Sequence, residues 1–388
     1  MGASKDKRPY LLIGSNIRFL AENAAAHGHS VYTIDHYGDW DTRRLSPNKS
    51  ILRDGDGVFS MPALCRLTEG VENKGIVFGP GFENDLDSLS SLHRIGTPLG
   101  CSIESVRKSG DPNTITSIAN DWGFCYPESV FDKSEIIDDP GNWLIKPVSS
   151  LGGEAISFAD THPTDFDKQM FYQRYHAGIP SSALIVSCGL EVTVLAIMTQ
   201  LVGEKDFGAY GFRFVGNVYP HPFSDECATK VRSIAEALTL ELELVGLWGF
   251  DFVFNGDVTL IEINPRPPAG IGVYCQAVYI DLLDLHLSSL VKGGLKQASN
   301  FCGQKTYWAN ARIFARQNLV FRNPLNWYNK GAKDIPYEGE MIETGSPILT
   351  LAASGNTYKK TICELRNKAS SLYEVLGESQ SAGLVESV

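Results

Sequence analysis

The sequence predicts a mixed α/β protein in which a Rossmann-like parallel α/β unit is followed by α+β segments. Three observations carry this expectation. From Tyr10 the chain alternates strand, polar turn, helix and strand, the cadence of a parallel α/β unit. From Leu184 the runs become long and β-rich, and two later ones flank Asn255-Gly256, the strongest short-range hairpin signal. The length of 388 residues exceeds what one core usually organises, so two or three domains are expected at roughly 150 residues each.

The elements follow in order. "YLLIG" from Tyr10 reads as a strand, Ser15-Asn16 as a turn, Ile17 to His27 as a helix and "SVYTID" as the next strand. "GIVFG" from Gly75 and a helix over "FENDLDSLSSLHRIG" extend the pattern to about residue 100, so the first unit spans 1–105. The dinucleotide fingerprint GxGxxG is missing: Gly14-Ser15-Asn16 follows the first strand and Gly79-Pro80-Gly81 lacks a third glycine, so NAD is not expected. Short elements punctuated by Gly and Pro come next: a helix in "DPNTITSIANDWG", then "NWLIKPVSSLGGEAISF" and "KQMFYQRYHAG". A long helix begins at Ser224, which can cap it. Asp225 and Glu226 suit its positive end, and Val231, Ile234, Ala235, Leu238 and Leu242 form an apolar stripe until Gly246. "YIDLLDLHLSSLVKGG" reads as one more helix. The residues from 301 to 388 form a small β-rich module with a terminal helix.

Composition bounds the function. Hydrophobic residues at 43% and charged residues at 20% are ordinary for a folded chain. Forty-five acidic against thirty-four basic side chains give a formal charge of -11 without any Lys/Arg-rich patch, so nucleic acid and anionic membranes are poor partners. An anionic substrate would have to meet a few placed cations or a metal. The eight cysteines are scattered with no CxxC pair, which spells neither a zinc site nor a disulfide framework. No run reaches the ~18 apolar residues of a membrane span and no leader is read at the N-terminus, so a cytoplasmic location is expected.

The chemistry gathers in "FDFVFNGDVTLIEINPRPPAG", Phe250 to Gly270. A two-residue Asn255-Gly256 turn would pair Phe254 with Asp257 and set Asp251 opposite Leu260, with Asp251 and Glu262 diagonal on one face. Asn264 and Arg266 continue that face, while Phe250, Phe252, Phe254, Ile261 and Ile263 occupy the other. Diagonal neighbours lie roughly 7 to 8 Å apart, close enough to share one hard cation, and two carboxylates with an amide oxygen suit Mg2+. Pro265, Pro267 and Pro268 then end the ladder. The alternative is an edge hairpin with a solvated polar face.

A second constellation is "WLIKPVSSLGGEAI", where Lys146 precedes a Ser-Ser-Leu-Gly-Gly loop. A lysine plus the exposed N–H groups of a glycine loop can cradle phosphate without a Walker sequence; an ordinary glycine turn is the other reading. Arg213 lies among aromatics in "GAYGFRFVGNVYPHPF", either as a stacked structural residue or as a carboxylate clamp.

Taken together, Lys146-Pro-x-Ser-Ser-x-Gly-Gly, a later helix, Asp251 on a strand and Glu262-x-Asn-x-Arg resemble the ATP-grasp superfamily over about residues 106–300. The resemblance implies ATP and Mg2+ (or Mn2+), with a lid subdomain at about 111–180. It implies that Lys146 contacts the α-phosphate and adenine edge, that Ser149, Ser150, Gly152 and Gly153 form a mobile loop, and that the backbone near Gln173, Arg174 and Tyr175 is the hinge meeting adenine. Lys108 would be the first nucleotide lysine, and Ser181 or Ser182 would stand where the family has an acid for the ribose. Asp251, Glu262 and Asn264 match the metal ligands, and Arg266 the cation facing the γ-phosphate and acceptor carboxylate; Arg213 is a second candidate for the substrate. The tail "DIPYEGEMIETGSPILTLAASG" resembles that of a biotin-carboxylase-related ATP-grasp branch associated with tetrahydromethanopterin and methanofuran-type one-carbon cofactor genes.

The expected function is therefore a carboxylate-amine ligase working through an acyl phosphate on small-molecule carboxylate and amine substrates, with glutamate-type coupling in cofactor biosynthesis as its finer form and a homodimer as its assembly. Two alternatives remain: a bicarbonate-using carboxylase, which would need a separate carrier since no Met-Lys-Met sequence is present, and a nucleotide-binding regulator without turnover.

Overall fold

The computed structural model describes residues 6–136, 138–148, 152–153, 155–160, 170–291, 293–295 and 306–377. Its first unit is a parallel sheet of β1 (Tyr10–Ile13), β2 (Val31–Asp35), β3 (Asn48–Ser50) and β4 (Ile76–Phe78), ordered β3-β2-β1-β4. Leu11, Leu12 and Ile13 are fully buried, because helices cover a parallel sheet on both faces and its strands read as unbroken apolar runs. The helix expected over 82–96 is broken into a 3-10 turn at Phe82–Asn84, a helix at Leu86–Ser91 and a second 3-10 turn at Leu92–Arg94. Asp85 causes the restart: its carboxylate accepts from the Ser88 N–H at 2.9 Å and caps a new helix.

The second unit is a small antiparallel sheet of β5 (Ser129–Val130), β6 (Trp143–Pro147), β7 (Ser157–Phe158) and β8 (Met170–Arg174), ordered β5-β8-β6-β7. In its centre Lys146 lies opposite Phe171 and Leu144 opposite Gln173.

The largest layer is a seven-stranded antiparallel sheet. It contains β9 (Ile179–Cys188), β10 (Val192–Val202), β11 (Phe214–Tyr219), β12 (Val245–Phe254), β13 (Val258–Asn264), β14 (Tyr307–Phe314) and, after the short pair β15 (Leu319–Val320) and β16 (Met341–Ile342), β17 (Pro347–Gly355). The order is β13-β12-β9-β10-β11-β14-β17, so the two long C-terminal strands extend the same sheet that carries the acidic hairpin. The terminal helix Tyr358–Val375 lays Leu365, Ala369 and Leu372 onto them.

The long helix runs over Ser224–Leu242, with Phe223 in the cap position, so Ser224 is its first helical residue rather than its N-cap. It stops short of Gly246, because Glu243 turns left-handed at φ 52° and its N–H closes back on the Thr239 carbonyl. Phe250, Phe252 and Ile263 of the hairpin share one apolar cluster with Leu11, Ile13 and Phe78 of the first unit, which fixes that unit against the metal-type hairpin.

Candidate nucleotide and metal site

The β12–β13 hairpin differs in register from the sequence expectation. Phe254 pairs with Val258, not Asp257, which leaves Asn255, Gly256 and Asp257 as a three-residue turn. Asp257 is spent inside that turn: its carbonyl accepts from the Asn255 N–H at 3.2 Å, and its carboxylate accepts from the Val258 N–H at 2.6 Å and from Lys230. Farther along, Phe252 pairs with Leu260 but Asp251 pairs with Glu262, so Ile261 is an extra residue and the strand bulges. The two acids therefore face each other directly, in the closest relation a ladder offers, and not diagonally. The same bulge turns Ile261 out of the core and into the cleft, where it lines the cavities on either side of β13.

Electrostatics follow from that pairing. Burial pushes the Asp251 carboxyl up to about 7, with the facing Glu262 charge adding to it, against the hydrogen bonds of Gln200 and Asn264 and the charge of Arg266. Glu262 is raised as well, first by burial, while Lys146 and Arg266 favour its charged form. Its side chain nonetheless opens onto the cleft, so this is the desolvation of a deep wet pocket rather than of a sealed core. Two close carboxylates that resist joint ionisation, with the Asn264 amide beside one of them, are a donor set that a divalent cation relieves. Among the described residues no three His, Cys, Asp or Glu side chains converge, so a cation here would take two carboxylates and an amide and complete its shell from water or a ligand, the habit of Mg2+.

Lys146 stands beside this pair. It is buried, its Nζ donates to Gln173 Oε1 at 3.0 Å, and Gln173 Nε2 in turn donates to Ser129 Oγ at 3.2 Å. Burial pulls the lysine's pKa down while Glu262 and Asp251 hold it up. A cavity of about 450 Å³ opens here between the small sheet and β13, walled by Lys146, Phe171, Tyr126, Arg107, Ile263 and Glu262. The other side of the bulge faces a second cavity of about 270 Å³, which Asp251, Glu262, Asn264, Arg266 and Arg312 all line.

Arg266 is brought in by the first unit: its Nε and Nη2 donate to Glu83 Oε1 at 2.9 and 2.7 Å, and the other Glu83 oxygen accepts from the Gly81 N–H. Gly152 and Gly153 also wall the second cavity, both at positive φ, near 70°. A Cβ on Gly153 would sit 2.2 Å from the Phe212 carbonyl oxygen, and the Phe214 N–H donates to the Gly152 carbonyl at 2.9 Å, so only glycine allows this approach. Ser149 and Ser150 lie outside the described residues.

Other expected residues point elsewhere. Lys108 lines neither cavity and reaches Glu104 at 3.8 Å on an exposed helical face, whereas Arg107, one residue earlier, forms part of the larger cavity's wall. Arg174 pairs with Asp138 at 2.9 Å and stacks over Trp143, and Tyr175 packs edge-on against Phe158 and Phe212; neither side chain lines either of these two cavities, so any hinge contact there falls to their backbone. Arg213 donates to the Gly345 carbonyl at 2.6 Å and stacks over Phe314, fastening the loop before β11 to the C-terminal segment; the carboxylate clamp is not what the geometry builds. Ser181 is taken by His221, a buried neutral ring whose pKa burial lowers to about 4. Sequence reasoning missed Arg312, Gln200, Glu83 and Tyr126. Arg312 carried a usable signal, the alternation of "NARIF", which sets it between buried Ala311 and Ile313 on β14.

Residues 113–270 match the family model of the ATP-grasp domain. The formate-dependent phosphoribosylglycinamide formyltransferase of Syntrophotalea carbinolica is 29% identical over 134 residues, which is 32% of this chain and 34% of that protein. The arginine-specific large chain of carbamoyl phosphate synthase from Lactiplantibacillus plantarum is 23% identical over 217 residues, covering 53% of this chain and 20% of its own length. The chain thus spans about a third of the length of the formyltransferase it matches. Among solved structures, the phosphoribosylamine–glycine ligase of Thermotoga maritima aligns with a TM-score of 0.68 at 15% identity, over 94% of this chain and 96% of that one. The biotin carboxylase domain of a single-chain bacterial carboxylase aligns with a TM-score of 0.68 at 15% identity, over 94% and 88%. At such identities the likeness is one of fold: the chain has the mixed α/β ATP-grasp fold.

Proposed function

We propose that this chain is an ATP- and Mg2+-dependent ligase that joins a carboxylate to an amine through an acyl phosphate, releasing ADP and phosphate. The observation that carries the reading is the pair Asp251 and Glu262, set directly opposite one another beside buried Lys146 at the junction of two cavities. The larger cavity suits the nucleotide: it is roofed by the small sheet, holds Lys146 for the phosphates, and offers Phe171 and Ile263 as apolar walls for a base. The smaller cavity suits the acceptor, since the bulged strand separates the two and both reach Glu262.

Asp251, Glu262 and Asn264 would hold the metal, which when bound supplies the charge neutralisation that phosphoryl transfer needs. The protein's own part is positioning. Lys146, locked by Gln173, fixes the phosphates from the small-sheet side, and Arg266, locked by Glu83, meets the charge that develops on the transferred phosphoryl group. Gly152 and Gly153 wall the smaller cavity beside β11, where they would help keep water from the acyl phosphate. Glutamate-type coupling in one-carbon cofactor assembly is the finer form of this reading, supported by the likeness of the C-terminal sequence alone.

The test is ADP release by the full chain with ATP, Mg2+ and a panel of carboxylates, with hydroxylamine as a general trap for acyl phosphates. Hydroxamate should form and should fall by at least about 100-fold in Glu262→Gln. ADP release that requires bicarbonate and ignores amines and hydroxylamine would replace the ligase with a carboxylase. ATP binding with no turnover in any mixture would make the chain a nucleotide-binding regulator.

A further inference from the structure

The smaller cavity limits what the acceptor can be. Its wall is mostly carbon: Phe19 and Leu20 from the first helix, Met198 on β10, Phe214 on β11 and Ile271 after the hairpin. Several of its polar side chains already have partners. Ser182 Oγ donates to Asn217 Oδ1 at 3.2 Å, Asn16 Nδ2 donates to Asp334 Oδ1 at 3.2 Å, and Gln200 is bonded to Asp251. These engaged atoms are not free to bind the hydroxyls of a sugar.

Charge narrows the choice further. Asp251 and Glu262 together match one divalent cation, and Arg266 is twice bonded to Glu83. Among the described residues Arg312 is the remaining cation of this wall and no lysine lines it, and the Asp334 carboxylate already faces Arg312. The wall therefore compensates at most one negative charge. A phosphate ester carries about −1.5 to −2 near neutral pH, and in a mostly apolar cavity the excess would stay uncompensated. At about 270 Å³ the space is also at the low end of small-molecule sites.

Building on the ligase reading above, we infer that the acceptor is a small, non-phosphorylated molecule with an apolar or aromatic body and a single carboxylate, which Arg312 meets while the body lies against Phe19, Leu20, Met198, Phe214 and Ile271. This sets the chain apart from the relatives whose names specify phosphoribosyl substrates.

Binding to the full chain preloaded with ADP and Mg2+ tests the inference by calorimetry, with 3-phenylpropionate and ribose 5-phosphate as probes. The expected result is binding of 3-phenylpropionate and none of ribose 5-phosphate. Arg312→Gln should weaken it by about 10-fold or more, the usual cost of a lost charged hydrogen bond, with ADP affinity unchanged as the measure of an intact fold. Val202→Lys, which adds a cation to the same wall, should admit ribose 5-phosphate. Binding of ribose 5-phosphate by the natural chain, binding of neither probe, or an Arg312→Gln variant that keeps both ADP and full 3-phenylpropionate affinity overturns it. Hydroxamate formation reads the ligase chemistry separately: selective binding without hydroxamate would sink the reaction and leave the cavity's preference standing.

Discussion

At the scale of single residues, the central fact is that Asp251 and Glu262 are held where neither ionises readily alone. Asp251 titrates near 7 against an ordinary 3.8, so between those values the folded protein keeps a proton that the unfolded chain has released. Stability of the metal-free protein therefore falls as pH rises from about 4 to 7; the penalty is absent below that window and complete above it. Asp251→Asn should raise the metal-free Tm at pH 8 by about 2 °C, measured by calorimetry, while removing Mg2+-promoted ADP binding. Mg2+ must displace the same proton, so its affinity for the natural chain should climb between pH 6 and 8 and level off above, with proton release recorded by titration in two buffers of different ionisation enthalpy. The types of these residues were legible in the sequence because the alternation of Glu262, Asn264 and Arg266 against Ile261 and Ile263 sets them on one face of a strand. The supporting shell was not: Gln200, Glu83 and Arg312 come from three other elements, and only the folded sheet brings them together.

At the scale of elements, the bulge at Ile261 lies within the site. The bulge leaves Ile261 unpaired and puts it between the two cavities, so deleting Ile261 restores a regular ladder with Glu262 still opposite Asp251. Because the acids keep their shared face, that deletion should retain Mg2+-dependent ADP binding, measured by calorimetry, and its loss would show that the bulge itself positions the acids. The sequence supplied the hairpin but not the bulge. Asn255-Gly256 argued for a two-residue turn, and the competing carboxylate of Asp257, which accepts the Val258 N–H, lengthened it by one. The parallel strands of the first unit were easier to read, since Leu11, Leu12 and Ile13 leave no polar face to confuse the pattern. A second element-level prediction concerns the end of helix Ser224–Leu242, where Glu243 sits at φ 52°. Glu243→Gly removes that left-handed strain and should stabilise the protein by about 1 kcal/mol, read from urea unfolding.

At the scale of the whole molecule, one buried network ties the first unit to the C-terminal segment. Arg18 Nε donates to Asp334 Oδ1 at 2.7 Å, Arg18 also reaches Glu22 and Asp41, and Lys333 returns to Glu22. The Arg18 charge holds Asp334 down to about 2, so its stabilising share is present above pH 4 and lost as pH falls toward 2. Arg18→Met alone should cost about 3 to 5 kcal/mol by stranding buried carboxylates, and adding Asp334→Leu should restore part of it, a coupling that a double-mutant cycle in urea measures. The sequence had suggested a small β-rich module over 301–388, because the run of residues changes character there. In the fold β14 instead pairs with β11 and β17 closes the row, so the sheet that begins at the acidic hairpin ends at the chain's last helix. That continuity has a bearing on biosynthesis. As the chain leaves the ribosome, the metal-type hairpin is complete at residue 264, but the strand that carries Arg312 emerges some forty residues later and has no partner on its outer side until β17 follows. A nascent chain thus has its phosphate-side groups before its acceptor wall, and a pocket able to hold an acceptor is assembled only when the last strands of the sheet are in place.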